Sequence, residues 1–95
     1  MYRIEIISNK SVEEDITECL EENIPDILYT TIPLAYGKGG DSRKMGTSIW
    51  PETNFCLVSY IEDKDLQTAK AVIKAIKQKF PREGIKMFVV KAEEV

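Results

Sequence analysis

Two strand–helix–strand units, separated by a segment with no periodicity, constrain this chain more than any other feature. Residues 2–8 alternate, placing Tyr2, Ile4 and Ile6 on one face of a half-buried strand. Ser11-Val12-Glu13-Glu14 then reads as a capping box: the serine accepts from the amide of residue 14 and Glu14 reaches back. Val12, Ile16, Cys19, Leu20 and Ile24 follow at helical spacing, and Pro25 stops the helix. A second strand covers about Leu28 to Tyr36. Pro33 inside it cannot donate to a ladder, which predicts a sheet edge.

The second unit repeats the order. Phe55 to Ile61 is apolar on both faces, as a central strand would be. Asp63 or Asp65 is the expected cap of a second helix, whose apolar stripe is Leu66, Ala69, Val72, Ile73, Ile76 and Phe80. Pro81 ends it. In the last strand, Ile85 to Lys91, the residues Ile85, Met87 and Val89 oppose Lys86, Phe88 and Val90. Two such units with right-handed crossovers predict an α+β, ferredoxin-like βαββαβ sandwich. That is a four-stranded antiparallel sheet with both helices on one face, forming a single domain over residues 1–95. The other face would carry Ile7, Cys56, Val58, Tyr60, Phe88 and Val90, an apolar patch that predicts self-association.

Composition narrows the chemistry. A chain of 95 residues is too short for a second core. It has no histidine, which excludes Ser-His-Asp and Cys-His catalysis and the commonest zinc sites. A net charge of -3 argues against a basic nucleic-acid module, and no basic-aromatic RNA-binding pattern is present. Cys19 and Cys56 each sit in an apolar pattern and read as buried free thiols of a reducing cytoplasm. No apolar run approaches the roughly 20 residues that span a bilayer. The first residues carry no signal-peptide pattern, so a cytoplasmic location without membrane insertion is expected.

The charge is uneven. Residues 1–36 hold two basic and eight acidic residues, residues 37–54 three against two, and residues 55–95 eight against six. The positive part includes the aperiodic segment 37–54, read as a mobile loop, which holds four of the five glycines. Its spacing is not that of a P-loop. Even so, Gly37-Lys38-Gly39-Gly40 lets backbone amides converge on an anion, with Lys38, Arg43 and Lys44 supplying charge. A loop whose glycines merely permit a turn has the same composition. Met45 and Trp50 are candidate contacts for a partner protein, and Trp50 reads equally well as a pin for the loop base. Lys70, Lys74 and Lys77 on one helix, and Glu14, Glu18, Glu21 and Glu22 on the other, read as solvated faces. Asp41, Glu52, Asp63 and Asp65 share no metal-loop spacing, and Ser42, Thr47 and Ser48 have no base to activate them.

The organisation resembles the PII signal-transduction proteins and their PII-like relatives, ferredoxin-like homotrimers with a long T-loop between strands two and three. Tyr36-Gly37-Lys38 is similar to the entrance of that loop, and Arg43-Lys44-Met45-Gly46 to its Gln-Lys-Gly portion. Ile61-Glu62-Asp63-Lys64-Asp65 resembles the acidic start of helix two, and Gly84-Ile85-Lys86-Met87-Phe88-Val89 the opening of strand four. The turn Pro81-Arg82-Glu83-Gly84 is shorter than the family's B-loop. No tyrosine lies between residues 38 and 54, so the chain looks PII-like rather than a nitrogen regulator in the strict sense.

The resemblance implies that an adenine nucleotide (ATP, ADP or AMP) binds in clefts between subunits, under the loop base. Its phosphates would lie on Gly37 and Lys38 and, across the interface, on Arg82, Gly84 and Lys86. The expected protein is a non-enzymatic homotrimeric sensor that signals to a partner protein through loop 37–54. Two rivals share the fold unit: a divalent-cation-handling trimer of the cation-tolerance type, and a small enzyme of the dimeric α/β-barrel type.

Overall fold

Alternation and helical spacing fix the elements. The computed structural model describes residues 1–39, 43–44 and 52–95, with residues 43–44 described by their backbone. Strand β1 spans Tyr2–Asn9, helix α1 Glu13–Asn23 and strand β2 Tyr29–Ala35. A two-residue ribbon follows, β3 (Gly37–Lys38) with β4 (Arg43–Lys44). Strand β5 runs Asn54–Ile61, helix α2 Leu66–Lys79 and strand β6 Ile85–Lys91.

The main sheet has the order β2-β5-β1-β6 and its pairs are antiparallel, giving the expected ferredoxin-like sandwich. Strand β5 is central, as its two apolar faces predict. Strand β2 lies at an edge, where the missing amide of Pro33 is tolerated, and its register shifts between Ile32 and Ala35 around that proline.

The core lies between sheet and helices. Ile4, Ile6, Phe55 and Leu57 from the sheet pack with Ile16 and Leu20 of α1 and Ala69 of α2, all at 0% exposure. Val12, Ile24, Val72, Ile73 and Ile76 are also buried, while Phe80 is packed against the core from its margin. The space between sheet and helices is therefore filled.

Several local expectations are corrected. Ser11 does not cap α1. A short 3-10 turn, Lys10–Val12, precedes the helix, and Asn9 accepts from the Ser11 amide at 3.0 Å. Neither Asp63 nor Asp65 caps α2 with its side chain. Asp63 instead pairs with the Met1 ammonium at 2.5 Å, which holds its carboxyl below the usual carboxylate range. The two thiols are half-buried rather than buried. Segment 37–54 is not wholly aperiodic, since the β3–β4 ribbon lies within it. Gly40, Met45 and Trp50 fall outside the described residues, so the partner contacts assigned to the latter two do as well.

Candidate ligand site at the strand ends

Antiparallel pairing brings the predicted residues to one end of the sheet. The ends of β2 and β1 and the starts of β5 and β6 form one row: Ala35 pairs with Asn54, and Asn54 with Asn9. The Asn9 amide donates to the Gly84 carbonyl at 3.3 Å. Both candidate glycines are thus placed by the same row of backbone. Gly37 stands against Asn54, where a Cβ would lie 2.8 Å from Asn54 Nδ2. Gly84 faces open space, with nothing within 4 Å of such a Cβ.

In the ribbon Lys38 is the register partner of Arg43, and Gly37 that of Lys44. Lys38, Gly39, Arg82, Gly84 and Lys86 are exposed. Among the described residues, Lys38, Arg82 and Lys86 enter none of the ion pairs.

The structure does not bring all of these together. Lys38 and Arg82 belong to opposite edges of the sheet, β2 and β6 being separated by three strand spacings, about 14 Å. Within one chain there are two cationic corners. Lys86 extends the second corner onto the open face, beside Ile7.

That open face is as predicted. Tyr60 (56% exposed), Phe88 and Val90 (each 54%) stand out from it, and Ile32 of β2 joins them at 55%. Arg3 and Glu5 lie in the same face, paired at 2.9 Å, and this bond and a weaker one to Tyr60 hold the guanidinium above its ordinary pKa. Cys56 sits among these residues. Its thiol is pushed up by burial first and by Glu5 second, with Arg3 opposing.

One concavity was missed by the sequence reading. At the opposite end of the strands, Leu28, Tyr29, Thr30, Val58, Ser59 and Tyr60 form a groove of about 640 Å³ with Met1 and the tail residues Glu93, Glu94 and Val95. Ser59 Oγ donates to the Leu28 carbonyl at 2.6 Å and fixes the wall where β5 meets β2. The Tyr29 hydroxyl donates to Glu21 at 2.5 Å, which ties this end of β2 to α1 and raises the phenol pKa. The volume is that of a small-molecule pocket, and an exposed leucine and two tyrosines give it apolar walls. Its signal in the sequence was slight: large apolar residues at strand ends, brought together only by register.

A smaller groove between the helices is lined by Asp15, Glu18, Cys19, Glu22 and Lys79, with Ala75 and Ile76. Among the described residues no three of His, Cys, Asp and Glu come together as metal donors. No helix among them is long and apolar enough to cross a membrane.

No known family pattern and no curated protein matches the chain. Solved structures do. CPII, a nitrogen regulatory PII-like protein from Thiomonas intermedia K12 bound to ADP, AMP and bicarbonate, superposes with a TM-score of 0.70 at 17% identity, over 94% of this chain and 82% of that one. A PII-like signalling protein from Thermus thermophilus gives 0.62 at 16% identity, over 94% and 83%. A de novo designed protein, Foldit4, gives 0.59 at 8% identity, over 97% and 98%. A designed chain reaches the same architecture, so the likeness speaks for fold and leaves function to the site. This chain has the ferredoxin-like fold of the PII-like proteins.

Proposed function

We propose that the chain is a non-enzymatic, PII-like sensor that binds an adenine nucleotide between its subunits and signals to a partner protein through loop 37–54. The observation that carries this reading is the separation of the site's parts. The groove lined by Tyr29 and Tyr60 and the glycine-flanked cations lie toward opposite ends of strands that are up to eight residues, about 24 Å, long. One chain cannot offer both to one nucleotide. Neighbours arranged head to tail in a closed ring can: the base would enter the groove of one copy and the phosphates would meet the basic corners of the next.

Two further observations support it. The open face exposes Ile32, Tyr60, Phe88 and Val90, and a trimer that covers them would also add to a small core. Nucleotides occupy structurally similar proteins: CPII has been solved with ADP, AMP and bicarbonate, and with ADP, AMP and acetate. The cation-handling rival has no donor cluster among the described residues to support it. The barrel-enzyme rival would need a cavity between sheet and helices, where this chain packs its core.

Binding would act on signalling through differential contacts. An anion seated on Gly37, Lys38 and Arg43 stabilises the base of the loop over other arrangements, and a partner reading residues 39–51 responds to that shift. Isothermal titration with ATP, ADP and AMP tests the reading. Heat and a thermal shift with at least one of them are expected; neither with any of the three overturns it.

A further inference from the structure

The nucleotide reading leaves unused a buried polar side chain at the end of β1. Asn9 is 5% exposed and makes contacts in three directions. Its Oδ1 accepts from the Ser11 amide at 3.0 Å, and its Nδ2 donates to Glu52 Oε2 at 3.2 Å. Its own backbone amide donates to the Gly84 carbonyl at 3.3 Å, and the next amide, of Lys10, donates to the Thr53 carbonyl at 2.9 Å. Three segments far apart in sequence therefore meet at one residue: the start of α1, the returning stem of loop 37–54, and the turn 81–84.

Capping the first helical turn needs only Oδ1. It does not require the donor to Glu52, nor that consecutive amides hold the stem and the turn. The φ and ψ of Asn9, -55° and 136°, lie between those two amides. A rotation that follows the stem through Lys10 N–H therefore re-aims the bond that holds Gly84. The side-chain bond to Glu52 fixes that rotation from the stem side.

We infer that Asn9 is a positioning residue that couples the stem of loop 37–54 to the turn 81–84, so that displacement of either is felt by the other. The two cationic corners of one chain, about 14 Å apart across the sheet, are thereby linked through β1 rather than by direct contact. This inference rests on the fold and on these bonds, and it holds whichever ligand the corners take.

The test uses the full chain without ligand, followed by amide hydrogen exchange. Asn9→Asp keeps the acceptor for the Ser11 amide but turns an oxygen toward the Glu52 carboxylate. Asn9→Asp combined with Glu52→Gln exchanges donor and acceptor and restores the bond. In Asn9→Asp, the amide of residue 9 and the Glu83 amide, which bonds the Phe80 carbonyl at 3.1 Å, are expected to exchange on the order of tenfold faster. The combined variant is expected to return both to the parent rates, with amides of α1 such as that of Leu20 unchanged throughout. Glu52→Ala, which removes the contact from its exposed side, is expected to speed the same two amides several-fold and covers the case in which Asn9→Asp does not fold. Faster exchange confined to Lys10 and residues 52–54, with both reporter amides unchanged, would overturn the coupling. So would a change spread evenly over the whole chain, or one that the combined variant leaves in place.

Discussion

Glycine at two positions separates steric need in the protein from approach by a ligand. Gly84 has open space where a Cβ would stand, so Gly84→Ala is expected to shift stability by no more than about 1 kcal/mol, and upward if at all. If the phosphates pack on that backbone, the same substitution weakens nucleotide binding tenfold or more; thermal melts beside calorimetry check both halves. Tyr29 offers a pH test. Its hydrogen bond to Glu21 holds the proton, so the folded pKa lies above the ordinary 10.0. The resulting stability is fully present below the unfolded pKa and is lost as pH rises through the folded one. Tyr29→Phe is expected to remove that alkaline dependence, as read from urea midpoints across the alkaline range. Single residues were also where the sequence misled. Ser11 and Glu14 match a capping box, but the 3-10 turn over Lys10–Val12 moves the cap to Asn9. Glu13, one position before the expected partner, is drawn to Lys10 instead.

Elements were legible because burial imposes a period. A strand half in the core must alternate, which marked β1 and β6, and α1 and α2 must carry an apolar stripe; β5 was legible instead as a strand apolar on both faces. Proline gave topology as well, since Pro33 fits only an edge and β2 lies at one. The β3–β4 ribbon escaped because two residues are too few to show alternation. The groove escaped because Leu28, Val58 and the tail residues become neighbours only through pairing register, which spacing along the chain does not encode. Packing at this scale is testable through Phe55, which is at 0% exposure on the central strand. Phe55→Ala is expected to cost about 3–5 kcal/mol in urea denaturation. A loss below about 1 kcal/mol would mean that β5 is not the middle of the core.

The whole molecule reads as an incomplete unit. Its open face carries Ile32, Tyr60, Phe88 and Val90 at more than half exposure, and its candidate site is divided between the two ends of the sheet. In the proposed assembly, association would answer both at once, covering the face and joining the groove of one copy to the cationic corners of another. Native mass spectrometry of the full chain with ADP tests this most directly, because it counts subunits and nucleotides together. Trimers carrying up to three ADP molecules and monomers carrying none are expected. ADP retained on the monomer, or trimers that never take it up, would contradict an intersubunit nucleotide site.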